Sequence, residues 1–392
     1  MKLLIYSHYF APSIGGVESI VLSLASGLCA QQRNGFPDFE VILATETAAG
    51  SFQDGSLPFR IIRQPSGTQL RRLIQEADVV HVAGPAFQPI VYGILFRKPV
   101  VVEHHGFQVI CPTGQLLQEP EKIPCEGHFM AGHHLVCLNC ISQRSKIVSF
   151  RSWILTFFRR ELCKHVAANI TPTAWLGHLL QLPRSETVPH GLTISPSLIH
   201  PSTVPDVPLL VFVGRLVSTK GVHLLLEASA ILRKQNRPFE LCIVGDGPER
   251  TSLEDDVRRL QLNPQVRFEG RVTPLKMAEI LKSAAMVVVP SLGGEVFGMV
   301  VAENMLRGIP VVSSDLGAFV EVLGDAGLTF RTGDPRDLSD QITHLLNDGA
   351  LSDRIRKSAR QRVLGLFTID RMVKGHAEIY QRLASEKVHR GT

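Results

Sequence analysis

The chain alternates short apolar runs with longer segments in which apolar residues recur at helical spacing. In the first half, β-branched runs predict strands at 2–6, 39–44, 59–63, 79–83 and 99–103, with helices at 17–31, 69–77 and 87–96 between them. In the second half, the same pattern predicts strands at 209–213, 241–247, 266–270, 286–290 and 309–313. Such alternation is typical of α/β folds with parallel sheets covered on both faces.

The length of 392 residues favours two domains rather than one core. Residues 195–208 hold four prolines and no periodicity, which predicts a linker. We therefore expect a first domain at 1–194 with an insertion at about 107–142, a second domain at 209–367, and a final helix and tail at 368–392.

The composition, 44% hydrophobic and 20% charged, is that of a soluble globular protein. No apolar run reaches the ~18 residues that would span a bilayer. The first residues, MKLLIY, resemble a signal peptide, but His8, Tyr9, Pro12 and Glu18 interrupt the apolar run, so a first strand is the better interpretation. A cytoplasmic location is the resulting expectation.

The stretch 286–315 predicts strand, loop, helix and strand, with Glu295 before the helix and Glu303 inside it. The helix is apolar almost all round, so Glu303 needs a buried partner or takes up a proton and becomes neutral. At the predicted helix start, the N–H groups of Phe297 and Gly298 favour a phosphate. This pattern suits a nucleotide-sugar, with hydroxyls at both ends and a diphosphate between. Alternatively, Glu303 pairs with Arg307 and Glu295 is a solvated loop charge.

A second candidate anion site follows the strand at 209–213. Arg215 and Lys220 lie in the loop before the predicted helix 222–234 and could bind a diphosphate, although they could also be two solvated cations. Gly245 lies in a glycine turn that follows the next strand. A dinucleotide fingerprint would need a third glycine where Arg250 stands, which disfavours a nicotinamide cofactor.

Two features of the first half point to ligand binding. Gly15 and Gly16 lie at a strand-to-helix junction, where a backbone can approach a phosphate or a sugar closely, although a plain turn would look the same. His104 and His105 follow a strand at the carboxyl edge of the sheet, where ligands bind in open α/β folds, and either could equally be a surface or capping histidine.

Four cysteines fall within the insertion, namely Cys111, Cys125, Cys137 and Cys140. The last two form a C-x2-C pair, and four thiolates suit a structural zinc site, or less well an iron–sulfur cluster. Free thiols or a disulfide are the alternatives.

The segment 144–164 carries six basic residues and one acidic residue, an excess equal to the formal charge of the entire chain, +5. As a helix it would form an apolar stripe flanked by cations, which suits an anionic membrane surface. A basic helix packed on its own domain is the alternative. Nucleic acid is not expected, because no base-reading motif accompanies the charge.

These motifs together resemble retaining glycosyltransferases of the GT-B fold, in particular glycosyltransferase family 4. The resemblance lies in the Glu-x7-Glu stretch PSLGGEVFGMVVAENMLRGIPVV, in Gly-Arg-Leu followed by Lys220-Gly221, in VGDGPE at 244–249, and in the segment from His105 to Pro112. Departures are Asn304 in place of a small residue, Gly106 in place of Asp and His190 in place of Asn.

The resemblance implies two Rossmann-like domains facing a central cleft, with the C-terminal helix crossing back to the first. It further implies catalytic roles for Glu295, His105, Arg215 and Lys220, and donor binding by Gly15, Gly16, Arg215, Lys220, Gly245, Phe297, Gly298 and Glu303. The two cations would replace a divalent metal, so that no cofactor is needed for catalysis. The cysteine cluster would order a loop on the acceptor side.

We therefore expect an enzyme that transfers a hexose, with retention, from a UDP- or GDP-sugar to a glycan, a lipid-linked saccharide or a small molecule. The alternatives are a non-catalytic nucleotide-sugar-binding protein and an NAD-dependent oxidoreductase. The pattern does not fix the donor base, the hexose, the acceptor or the oligomeric state.

Overall fold

The computed structural model describes residues 1–12, 15–33, 36–50, 52–141, 146–194 and 207–390. Most of the predicted linker, 195–206, lies outside the described residues. Contacts divide the chain into two units: unit 1 is Met1–Gly114, Gly127–Gly191 and Phe367–Thr392, and unit 2 is Gln115–Glu126 and Leu192–Leu366.

The part of the chain up to residue 194 alternates strands and helices much as the apolar pattern predicts. Its elements are β1 (Lys2–Ser7), α1 (Gly16–Ala30), β2 (Gln32–Arg33), β3 (Phe36–Pro37), β4 (Glu40–Thr45), β5 (Arg60–Arg63), α2 (Gly67–Glu76), β6 (Val79–Ala83), α3 (Phe87–Leu95), β7 (Val100–Glu103), β8 (Leu117–Gln118), β9 (Ile123–Pro124), α4 (His134–Ile141), α5 (Lys146–Lys164), β10 (Ala168–Thr171), α6 (Ala174–Leu180) and β11 (Ser185–Thr187).

The alternation continues from residue 207 onward. The elements there are β12 (Leu209–Val213), α7 (Val222–Lys234), β13 (Glu240–Val244), α8 (Arg250–Arg259), β14 (Val266–Gly270), α9 (Pro274–Lys282), β15 (Ala284–Val289), α10 (Met299–Leu306), β16 (Val311–Ser314), α11 (Gly317–Leu323), β17 (Leu328–Phe330), α12 (Pro335–Asn347), α13 (Gly349–Leu366) and α14 (Ile369–Arg390).

Each unit is built on a parallel sheet. Within the described residues, the sheet of unit 1 has the order β11-β10-β7-β6-β1-β4-β5, and that of unit 2 has the order β14-β13-β12-β15-β16-β17. Numbered along each unit, the first six strands follow the order 3-2-1-4-5-6 of a Rossmann fold. The central strands are buried on both faces, which explains their unbroken apolar runs.

The expected α/β architecture is thus confirmed, and α14 belongs to unit 1. Three local features differ from the expectation. Helix α10 begins at Met299, two residues after the predicted start, because Gly298 has the left-handed φ of +95°. The cysteines of the C-x2-C pair lie on helix α4. Residues 115–126, which the sequence analysis places in the first domain, pack with unit 2.

None of the described helices is both long enough and apolar enough to cross a bilayer.

Candidate functional site

In unit 2 the predicted donor-site residues meet where the strand order reverses. Strand β12 pairs with β13 on one side and β15 on the other, so the crossovers leave β12 and β15 in opposite directions. Ligands of open parallel sheets bind beside the carboxyl ends of such strands. Arg215 and Lys220 follow β12, and Glu295 follows β15. The topology therefore brings the three residues to one edge of the sheet.

Lys220 and Glu295 form an ion pair, in which the Lys220 ammonium donates to Glu295 Oε1. The Ser291 hydroxyl donates to the same oxygen over 3.0 Å. The Ser291 side chain is buried, and its carbonyl accepts a bond of 2.7 Å from the Ser314 hydroxyl. Glu295 is therefore held in place by its own domain, and it is not the solvated loop charge of the alternative interpretation.

Arg215 contrasts with this pair. Its side chain is exposed and makes no hydrogen bond or ion pair with any residue that the structure describes. A guanidinium carries five donors in a fixed fork that matches phosphate oxygens. Arg215 is therefore available to an anion at the carboxyl end of β12.

Gly221 explains how Lys220 reaches Glu295. It has a φ of +60°, and a Cβ built on it would lie 2.1 Å from the carbonyl oxygen of Pro290, at the end of β15. The Leu292 N–H donates to the Thr219 carbonyl over 2.8 Å, which ties the two loops together. Only glycine allows this approach, so the glycine after Lys220 has a structural reason.

Position 245 also requires glycine, because another loop approaches its backbone closely. Its φ is +132°, and a Cβ there would lie 1.8 Å from the carbonyl oxygen of Gly214, the residue before Arg215. The Leu216 N–H donates to the Asp246 carbonyl over 3.0 Å. The glycine turn after β13 thus supports the loop that carries Arg215, a packing role that the sequence pattern did not indicate.

Glu303 is largely buried in α10, as its apolar surroundings predict. Burial raises the pKa of its carboxyl group, and the nearby charge of Arg307 only partly opposes that rise. The Arg307 guanidinium donates over 3.0 Å to the main-chain carbonyl of Glu303, and the described residues show no ion pair between the two side chains. The described residues therefore do not show the ion pair of the alternative interpretation, and the Glu303 carboxyl group is suited to a hydroxyl partner.

The hairpin β8–β9 adds a cation that the sequence analysis missed. Leu117 of this hairpin packs against Leu224 and Leu292 of unit 2. Lys122, in its turn, donates to Glu249, which follows the glycine turn after β13. Nothing in the sequence marks Lys122, because its neighbours form no recognisable motif.

In unit 1, Gly15 and Gly16 lie at the start of α1, the helix that follows β1, as predicted. Gly15 is the N-cap of α1, and its carbonyl accepts from the Ser19 N–H over 3.2 Å. A Cβ added to Gly16 would meet nothing within 4 Å. The space at Gly16 is therefore open, and a donor-binding role for both glycines stays a prediction.

His105 belongs to a buried cluster centred on Glu103. The ring nitrogens of four histidines approach this carboxylate: His81 at 3.3 Å, His105 at 3.4 Å, His376 at 3.5 Å and His190 at 3.6 Å. Glu103 itself is fully buried. The sequence analysis found His105 but missed Glu103, His81 and His376, because the fold alone brings them together.

The cluster shows clear electrostatic effects. Burial opposes ionisation of Glu103, but the electrostatic influence of His105 and His376 outweighs it and holds the Glu103 pKa well below the usual range. Burial lowers the pKa of His190 to about 3 and also lowers that of His81. Glu103 is therefore an ionised carboxylate although it is fully buried.

His104, the neighbour of His105, points to a different partner. Its Nε2 lies 2.9 Å from the side-chain oxygen of buried Asn169, and burial lowers its pKa to about 4. Asn169 in turn donates to the carbonyls of Cys163 and Pro183, each over 2.9 Å. His104 is thus a core histidine, and His105 remains the candidate of the two.

The four predicted zinc ligands are divided between the two units. Cys111, Cys137 and Cys140 belong to unit 1, whereas Cys125 belongs to unit 2. Among the described residues, the groups close enough to share an ion contain histidines and glutamate but no cysteine. The zinc site at these cysteines stays a prediction.

Comparison with known proteins relates the chain to glycosyltransferases. Residues 200–362 match the family of glycosyl transferases group 1. Glycogen synthase of Mycobacterium tuberculosis is 31% identical over 173 residues, which are 44% of this chain and 42% of that protein. Most of the curated relatives that match are thus aligned over less than half of their own length. Phosphatidyl-myo-inositol mannosyltransferase of Mycobacterium leprae is 27% identical over 347 residues, covering 87% of this chain and 86% of that protein.

Solved structures confirm the GT-B fold. Sucrose-phosphate synthase from Thermosynechococcus elongatus has a TM-score of 0.73 at 20% identity, covering 98% of this chain and 99% of that one. Anabaena Alr3699/HepE, solved in complex with UDP-glucose, has a TM-score of 0.70 at 18% identity, covering 98% of this chain and 100% of that one.

Proposed function

We propose that this protein is a retaining glycosyltransferase of family 4 type, which moves a hexose from a UDP- or GDP-sugar to a glycan, a lipid-linked saccharide or a small molecule. The observation that carries the proposal is the Lys220–Glu295 ion pair at the strand-order reversal of unit 2, with Arg215 on the same loop as Lys220. The match of residues 200–362 to group 1 glycosyl transferases supports it.

In this proposal unit 2 binds the donor. Arg215 binds the diphosphate, together with Lys220 and the first turn of α10. Glu303 accepts the ribose hydroxyls, for which its raised pKa and buried position are suited. Glu295 addresses the hexose, and its pairing with Lys220 means that donor binding exchanges one partner of the ammonium for a phosphate.

The reaction is a substitution at the anomeric carbon. The bond from this carbon to the leaving phosphate oxygen breaks, and a bond to the acceptor oxygen forms on the same face. The acceptor's proton passes to the leaving diphosphate. Arg215 and Lys220 stabilise the charge that develops there, which is usually the largest catalytic contribution. His105, Gly15 and Gly16 act from unit 1 on the acceptor and the donor phosphates.

The relatives suggest donors to try first. Alr3699/HepE was solved with UDP-glucose, and the M. leprae relative is named as a mannosyltransferase. UDP-glucose and GDP-mannose are therefore the first candidates. A nicotinamide-dependent oxidoreductase remains the rival with another chemistry, and it would bind NAD rather than UDP or GDP.

The test is nucleotide release from purified protein with a panel of UDP- and GDP-sugars and no acceptor. We expect slow release of UDP or GDP from one donor, and loss of this release in Glu295→Ala. Saturable binding without release would support a non-catalytic binding protein or a strict need for acceptor, which added glycan acceptors would distinguish. No binding of any donor, with binding of NAD, would overturn the proposal.

Helix α5 supports a further proposal, contact with an anionic membrane surface. Ile147, Phe150, Phe157 and Phe158 are exposed, at 82%, 53%, 40% and 59%. Fewer basic side chains of α5 are available to lipid headgroups than the sequence suggests. Arg160 donates to the Leu180 carbonyl, and Lys164 pairs with Glu161. Sedimentation with phosphatidylserine vesicles tests it: Ile147→Ser/Phe150→Ser should lose binding, and equal binding by this variant would contradict it.

Structural zinc at Cys111, Cys125, Cys137 and Cys140 also remains our proposal. Zinc content measured on tag-free protein should fall in Cys137→Ser/Cys140→Ser. Unchanged zinc in that variant would count against the cysteine site.

A further inference from the structure

The buried cluster around Glu103 contains a set of atoms that the proposed function does not use. His81 Nε2, His376 Nε2 and one carboxylate oxygen of Glu103 all lie within 4.8 Å of one another. They come from β6, α14 and β7, and all three side chains are fully buried. Burying three such groups is costly unless something satisfies them.

Hydrogen bonding within the cluster does not satisfy them. Both nitrogens, and both oxygens of Glu103, lack a hydrogen-bond partner among the described residues, although the closest nitrogen–oxygen distances are 3.3 and 3.5 Å. These atoms are near one another, but they lack the alignment that an N–H donor and a carboxylate acceptor require.

The partner of the other ring nitrogen of His376 indicates which nitrogen carries the hydrogen. His376 Nδ1 lies 2.9 Å from the carbonyl oxygen of Met372, which can only accept, so Nδ1 carries a hydrogen. In the neutral ring, Nε2 is then a lone pair, and it lies 3.5 Å from Glu103 Oε2, another acceptor. Two acceptors at this distance in a dry interior repel each other unless a proton or a metal ion lies between them.

The distances fit a metal ion in that position. Zinc binds imidazole nitrogen and carboxylate oxygen at about 2.0–2.2 Å, which separates tetrahedral ligands by about 3.3–3.5 Å. The measured separations from Glu103 Oε2 are 3.3 Å to His81 and 3.5 Å to His376. His105 Nε2, 3.4 Å from the same oxygen, supplies a neighbouring nitrogen.

The outer contacts also match a metal centre. Histidine ligands normally engage their other ring nitrogen with a carbonyl, carboxylate or similar group, which fixes the ring. His376 does so with Met372, and His81 Nδ1 lies 2.8 Å from the Tyr380 hydroxyl. Both partners, Met372 and Tyr380, are on α14 beside His376.

We propose that His81, Glu103 and His376 form a binding site for a divalent transition metal, with zinc as the expected ion. Two imidazoles and a carboxylate suit zinc and also Fe(II). The ion would tie α14 to β6 and β7 and would fix the carboxylate beside His105. This inference does not depend on the proposed transferase function, and the site is separate from the cysteines.

The test measures bound metal on tag-free protein in the Cys137→Ser/Cys140→Ser background, which removes the predicted cysteine site. We expect about one equivalent of zinc per chain in this background and a loss of about tenfold in His376→Ala. The matched control is His104→Ala, an equally buried histidine bonded to Asn169, which should keep the metal. Equal metal in His376→Ala and in the background would overturn the proposal.

A second measurement covers the case in which His376→Ala does not fold. The background protein is stripped with a chelator and titrated with Co²⁺. We expect saturable visible bands without a thiolate charge-transfer band, and a rise in the thermal midpoint with bound cobalt. Absence of such bands, with no change in the midpoint, would overturn the proposal. If the cysteine double variant itself does not fold, the same two measurements are made on the unaltered chain against its His376→Ala variant.

Discussion

Each unit holds a glutamate away from full exposure, and the two carboxyl groups have opposite environments. Glu303 of unit 2 lies in an apolar helix, where burial raises its pKa and Arg307 donates to a main-chain carbonyl instead. Glu103 of unit 1 lies among four imidazoles, of which those of His105 and His376 hold its pKa well below the usual range. The first carboxyl group lacks a compensating charge in close contact, whereas the second is surrounded by nitrogen ligands.

This difference distinguishes a candidate ligand-binding site at Glu303 from a structural site at Glu103. A buried carboxyl group with an uncompensated cost is a candidate for recognition, because a hydroxyl of the ligand can complete its bonding. A buried carboxylate on β7 that is approached by side chains from β6 and α14 links elements that are far apart in the sequence. We therefore expect Glu303 to bind the ligand and Glu103 to stabilise the fold.

Substitution by glutamine tests this comparison most directly. We expect Glu103→Gln to lower the free energy of unfolding by about 3–5 kcal/mol, because it removes the charge that the buried histidines surround. Urea denaturation, followed by circular dichroism, measures the change. Glu303→Gln is the matched control, and it should not be destabilised at neutral pH. Equal losses in the two variants would remove the distinction between the sites.

The next largest effect is expected for Arg215→Ala, which should change activity but not stability. Arg215→Ala should lower kcat about 10²–10³-fold, because it removes a charge from the developing leaving group. Its free energy of unfolding should stay within about 0.5 kcal/mol of the unaltered chain, since Arg215 is exposed and has no partner among the described residues. Arg271→Ala, another exposed arginine of unit 2, should keep full activity. Full activity in Arg215→Ala would contradict our assignment.

The donor-side residues could be predicted from the sequence because each lies in a short local motif. Arg215 and Lys220 follow one strand within seven residues, and Glu295 and Glu303 share one strand–loop–helix segment. Parallel sheets place strand ends at one edge, so local motifs converge without knowledge of long-range contacts. The Lys220–Glu295 ion pair and the glycine contacts that allow it could not be predicted from these motifs.

The cluster around Glu103 could not be predicted for the opposite reason. His81, Glu103 and His376 are separated by up to 295 residues and join only through strand order and the return of α14. Taken singly, each resembles an ordinary core or surface residue. Lys122 was missed similarly, because the hairpin that carries it packs with unit 2 although it lies within the first half of the chain.

Gly245→Ala tests whether the donor site depends on backbone approach. We expect a loss of about 2–3 kcal/mol in the free energy of unfolding, since φ is +132° and the new Cβ would lie 1.8 Å from the Gly214 carbonyl oxygen. Gly365→Ala in helix α13 is the control, because its Cβ would meet nothing within 4 Å, and it should gain about 0.5–1 kcal/mol. Denaturant titration compares them. A harmless Gly245→Ala would show that the loop after β13 can move aside.

The smallest effect, and the one specific to Glu303, is a dependence on pH. A raised pKa in the folded state means that ionisation of Glu303 costs stability above that pKa, while no cost remains below the unfolded value of about 4.3. Glu303→Gln should therefore have the higher thermal midpoint at pH 7, and the difference should close as the pH falls toward 4. Calorimetry across this pH range measures the difference in thermal midpoint. A difference that does not change with pH would contradict its assignment to ionisation of Glu303.

The Glu303→Gln variant should also bind UDP or GDP more weakly, because an amide replaces the carboxylate proposed to accept from the ribose hydroxyls. A gain in stability together with a loss in affinity would show that Glu303 is kept for its ligand at the expense of the fold.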